Sequence, residues 1–150
     1  MSVSTHTQQR WFASHVQSLM STIQGQPAEP DGDGDFPVQG TSAHGWVRPD
    51  QSEPRGVHVF ALAAHGLPQR LAVLREINEV NAADPAIRVV LHGEGSLMVD
   101  YRLFADAVTE DNLRAVIGRV LTLADRLGPM LTALHGGSTP TGQQPSASTR

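Results

Sequence analysis

Residues 87–101 (IRVVLHGEGSLMVDY) pair with themselves in only one way that respects their chemistry. A three-residue loop at Gly93-Glu94-Gly95, with Gly95 left-handed, sets Leu91 against Leu97, Val89 against Val99 and Ile87 against Tyr101. Arg88 then faces Asp100 on the opposite side, with Val90 beside Met98 as the remaining outer pair. A two-residue loop sets apolar residues against polar ones along both strands. The segment is therefore a hairpin with one face made for a core, and it requires a larger sheet and covering helices to bury that face.

The flanking sequence supplies both. Phe12, Val16, Leu19 and Ile23, flanked by Trp11, His15 and Met20, recur at helical spacing and predict a helix over 8–24 that ends at Gly25. The stretch 25–35 is too rich in Gly, Pro and Asp for a regular element, and 49–56 is loop-rich as well. Extended segments are predicted at 36–39, 45–48 and 56–65. In the last, Val57, Val59, Ala61 and Ala63 share one face, while His58, Phe60 and Leu62 share the other. Leu67-Pro68 opens a second helix with a stripe of Leu71, Leu74 and Ile77, joined by Val73 and Val80. It ends near Asp84, because the residue before Pro85 is pushed out of helical geometry.

Thr109 is placed to cap a third helix, with Glu110 and Asp111 complementing its positive end. Its stripe runs through Leu113, Val116, Ile117, Val120, Ala124, Leu127, Leu131 and Leu134, and Gly128-Pro129 is expected to kink or interrupt it. Residues 136–150 have little to bury and are expected to form a disordered tail behind a single domain at 1–135. The fold class expected is α+β: a mainly antiparallel sheet of about five strands with three helices.

Charge and composition exclude several functions. A net charge of -4 with no basic cluster argues against nucleic acid as a partner. The absence of cysteine removes disulfides, thiolate nucleophiles and thiolate metal sites. No run approaches the roughly 20 apolar residues of a membrane span and no signal-peptide stretch opens the chain, so no membrane partner is expected.

Asp31, Asp33 and Asp35 alternate as calcium ligands do, but a calcium loop starting at Asp31 needs glycine where Phe36 stands and glutamate where Ser42 stands. A solvated acidic turn is expected instead. His58, His65 and His92 lack zinc-ligand spacing, Gly95-Ser96 lacks the context of a nucleophile elbow, and Gly93-Glu94-Gly95 leads into a strand and not into a phosphate-binding helix. No catalytic residue, metal or cofactor is expected.

Two sets of residues remain as partner-binding candidates. Asn78 and Asn81 lie three apart near a helix end; their amides either bind a partner backbone or neighbouring loop, or cap the helix and the turn before Pro85. Phe60, Leu62, Val90 and Met98 form an apolar sheet face opposite the one packed by Val89, Leu91, Leu97, Val99 and Tyr101. Either that face is open to a second subunit or client, or the Trp11 helix covers it within the monomer.

Residues Leu74 to Asn81 (LREINEVN), the strand Ile87 to Leu91, the glycine turn and Thr109 to Leu113 (TEDNL) together resemble the YbjN-type branch of the type III secretion chaperone-like superfamily, including its actinobacterial (TY-Chap) members. The resemblance covers roughly 56–134. It implies a type III secretion chaperone-like fold in a cytoplasmic, non-enzymatic protein-interaction module that is often a homodimer and binds protein segments. The alternative left open is a regulatory or sensory domain holding a small ligand between helix and sheet.

Overall fold

The structure, a computed structural model, describes residues 2–141. The elements run α1 (Ser2–Gln24), β1 (Phe36–Gln39), β2 (His44–Asp50), β3 (Gly56–Ala64), α2 (Leu71–Ala83), β4 (Arg88–Leu91), β5 (Leu97–Phe104), a short 3-10 turn (Ala105–Ala107) and α3 (Glu110–His135). The strands form a five-stranded antiparallel sheet in the order β1-β2-β3-β5-β4. This is the α+β class read from the sequence.

The hairpin register is the expected one: Arg88 pairs with Asp100, Val89 with Val99, Val90 with Met98 and Leu91 with Leu97. Gly95 has φ +93°, and a Cβ there would lie 2.8 Å from the Leu67 carbonyl oxygen. The glycine therefore serves the turn and also admits the segment before α2, whose Leu67 N–H donates to the Gly95 carbonyl. The backbone is extended at Arg70, the N-cap, so α2 begins at Leu71 and not at Leu67-Pro68 as its sequence suggests.

All three helices feed one core. Phe12, Val16 and Met20 of α1, Val73 and Ile77 of α2, and the α3 stripe from Leu113 to Leu131 meet Val47, Val57, Val59, Ala61, Val89, Leu97 and Val99. Thr109 caps α3 by accepting from the Asn112 N–H at 3.2 Å. The helix continues through Pro129 without interruption. Gly128 packs so closely on β3 that a Cβ would lie 2.2 Å from the Ala63 carbonyl oxygen.

Two side-chain positions differ from the expected stripes for a tertiary reason. Leu71 and Leu74 are 63% and 46% exposed, because α2 lies beside the edge strand β4 and turns only Val73 and Ile77 inward. Leu134, at the end of the α3 stripe, extends past the sheet and is exposed. After α3, Ser138 exchanges main-chain hydrogen bonds with His65, and Thr141 bonds to Thr41 and Ser42. The chain expected to form a free tail is thus tied down over 138–141, while 142–150 lie outside the described residues.

Candidate partner-binding surface

Strand pairing brings the outward residues into rows. One row runs Trp46, Phe60, Asp100, Arg88; a second runs His44, Leu62, Met98, Val90; a third runs Arg48, His58, Arg102. With α1, α2 and α3 all contributing to the core on the other side, no helix covers this face among the described residues. Phe60, Leu62, Val90 and Met98 are half-buried by their own sheet neighbours. The Trp11 helix does not seal them; Trp11 itself is 66% exposed and stacks on His15.

Phe60 is the centre of the surface. Its ring stacks on Trp46 at 5.5 Å, is tilted against His58 at 5.1 Å, and carries the Arg48 guanidinium 4.9 Å from its centroid. Arg48 is held there by two 2.7 Å bonds to Asp35, whose carboxylate is buried. Asp100 braces the next strand, accepting from Arg88 at 2.8 Å, with His58 Nε2 at 3.7 Å. Burial pushes the Asp100 carboxyl up, but the nearby His58 ring and the Arg88 hydrogen bonds and charge outweigh it and hold it below the usual range. The face is thus apolar ground set among ion-paired arginines, with a concavity of about 340 Å³ lined by Trp46, Leu62 and Met98 near the hairpin loop.

Sequence reasoning placed Phe60, Leu62, Val90 and Met98 on one face and did not add Trp46, Arg48 or His44. The alternation of 44–50 carried that signal, since Gly45 and Val47 point inward and His44, Trp46 and Arg48 outward.

The asparagines separate. Asn78 is exposed, whereas Asn81 donates to the Val89 carbonyl at 2.9 Å and accepts from the Val89 N–H at 2.8 Å. Asn81 neither caps its helix nor bonds the following turn. Those tasks fall to the Asp84 main-chain N–H on Val80 and the Asp84 side chain accepting from Ala86. At the other edge of the sheet, Pro37 offers no N–H and its carbonyl accepts from Gln24. Both edge strands therefore have main-chain groups occupied by a side-chain amide.

The acidic turn is not fully solvated: Asp31 and Asp33 are exposed, Asp35 is buried, and their carboxylate oxygens lie within 4.8 Å of one another. Asp31 accepts from the Asp33 and Asp35 N–H groups, and Asp35 is paired with Arg48. His58 lies within β3, His65 follows its end and His92 opens the hairpin loop, so the three histidines form no ligand group. No helix among the described residues is long and apolar enough to cross a membrane.

Comparison with known proteins agrees with this architecture. A chain of the ExsC–ExsE complex superposes with a TM-score of 0.65 at 15% identity, over 79% of this chain and 95% of that one. A chain of the complex between the Yersinia pestis type III secretion chaperone SycH and a fragment of YscM2 gives 0.61 at 19% identity, over 77% and 98%. The ExoU–SpcU complex from the type III secretion system of Pseudomonas aeruginosa gives 0.60 at 16%, over 79% and 98%. At these identities the likeness is one of fold. No curated protein matches the chain. The family described as T3SS (YopN, CesT) and YbjN peptide-binding chaperone 1 matches residues 10–143, nearly the whole chain, and the protein belongs to that TY-Chap1 family.

Proposed function

We propose that the protein is a non-enzymatic, cytoplasmic chaperone-like module, acting without a cofactor, that binds apolar segments of a protein partner on its open sheet face. The observation that carries this is the pair of rows Trp46-Phe60 and Leu62-Met98-Val90, half-buried by their sheet neighbours and left without a helix among the described residues. Membership of a peptide-binding chaperone family supports it. Burying such a surface yields about 25 cal/mol per Å² before association costs, enough for a transient client without a charged anchor. The Pro37 carbonyl on one edge strand and both main-chain groups of Val89 on the other already have partners, which supports a client lying across the face through its side chains.

The protein is further proposed to be a homodimer through α2, whose Leu71 and Leu74 stand exposed beside Asn78. Asn78 contacts the second subunit in this arrangement, and Asn81 positions the helix. The small-ligand alternative calls for polar groups converging in a closed pocket. The groove between α2 and α3 is open to solvent and not closed, which favours a macromolecular partner.

The test uses dye-labelled, reduced, carboxymethylated lactalbumin as a permanently unfolded client, read by fluorescence anisotropy of the label. Saturable binding is expected, with loss in Leu62→Asp/Met98→Asp at unchanged far-UV circular dichroism. Unaltered binding by that double variant would sink the assignment.

A further inference from the structure

We propose that the groove between α2 and α3 is a second docking site, separate from the open sheet face, and that it takes an amphipathic α-helix with basic residues along one flank. The groove encloses about 770 Å³. Its lining includes Val80, Ile87 and Leu123, and the small residues Ala83, Ala115 and Gly118 leave it open enough for a backbone to approach. Asp84 and Arg119 pair within it, and Arg119 also lies over the Tyr101 ring at 5.7 Å.

The backbone chemistry of the walls selects the occupant. Both walls are helices, whose N–H and C=O groups are already bonded within themselves. A strand laid between them would bury its own main-chain groups without partners, a penalty that offsets the apolar packing it brings. A helix brings its backbone already satisfied and presents an apolar stripe to the floor.

Charge then sets its composition. Glu76 and Glu79 on the α2 wall and Arg126 on the α3 wall have no ion-pair partner among the described residues. Two unpaired carboxylates one turn apart call for Lys or Arg on the flank facing α2, and Arg126 calls for an acid on the other. Residues 142–150 (GQQPSASTR) hold no Leu, Ile, Val, Met or aromatic side chain, so this chain's own C-terminal segment does not fit the description.

The test is fluorescence anisotropy of the full chain with two labelled peptides of about 18 residues, long enough for a marginal helix to form on binding. Both carry leucines at three- and four-residue spacing; one has lysines along one flank and its twin has glutamates there. The lysine peptide is expected to bind roughly fivefold or more tightly than the twin, from two surface charge pairs. Glu76→Lys/Glu79→Lys should reverse that preference. Gly118→Phe, at a position where an added Cβ meets nothing within 4 Å, should abolish binding without unfolding the helix. Leu62→Asp/Met98→Asp on the open face should leave groove binding intact, which separates this site from the one proposed above.

Equal affinity for the twins, or binding that survives Gly118→Phe, overturns the proposal. So does sedimentation showing that Gly118→Phe converts a dimer to a monomer, since the groove would then belong to a second copy.

Discussion

Asn81 closes both main-chain groups of Val89, its Nδ2 donating to the carbonyl at 2.9 Å and its Oδ1 accepting from the N–H at 2.8 Å. A helix side chain thus stands where a sixth strand would pair, and it fixes α2 against the edge of the sheet. Asn81→Leu, which leaves both groups of Val89 unpaired, should cost about 1–2 kcal/mol in urea unfolding. Asn78→Ala, on the exposed side of the same helix, should stay within about 0.5 kcal/mol of the parent.

Asp125 of α3 holds the turn between β1 and β2, accepting from the N–H groups of Thr41, Ser42 and Ala43 at 2.8 to 2.9 Å. Burial raises its carboxyl pKa, but the three main-chain bonds and the Ser42 hydroxyl outweigh that and hold it below the usual aspartate range. The folded value is depressed, so this contribution to stability is full above the ordinary aspartate range and is lost as pH falls through the folded value. Asp125→Ala should cost about 2 kcal/mol near neutral pH, with a smaller difference from the parent in acid, measured by denaturant titration at several pH values.

Gly95→Ala tests the junction of hairpin and helix. The new Cβ would sit 2.8 Å from the Leu67 carbonyl oxygen on a backbone with φ +93°. The expected loss is about 2 kcal/mol or more, read from the thermal midpoint.

Leu71→Glu/Leu74→Glu addresses the dimer. Both side chains are exposed in the isolated chain, so the double variant should keep its fold and sediment as a monomer where the parent sediments as a dimer. A parent that is monomeric at all concentrations removes this part of the functional proposal.

The elements legible in the sequence are those whose determinants lie within a few residues of each other. The hairpin register follows from the pairing of Leu91 with Leu97 and Arg88 with Asp100 across one short turn, and the cap at Thr109 needs only Asn112. Helical spacing likewise located the buried residues Phe12, Val16 and Leu113. It also included Leu71 and Leu74 in the α2 stripe, because periodicity gives the direction of an apolar face and not what lies in front of it.

Strand alternation, helix stripes and the lack of thiol chemistry follow from the order and kind of residues alone, since all are properties of local geometry and composition. Tertiary structure decided that Asn81 serves the edge of β4, that Asp125 reaches a turn more than eighty residues away, and that all three helices choose the same side of the sheet. Both faces of β3 carry apolar residues, so its pattern fits covering on either side. Only the packing of α1, α2 and α3 into one core left Phe60 and its neighbours without a helix.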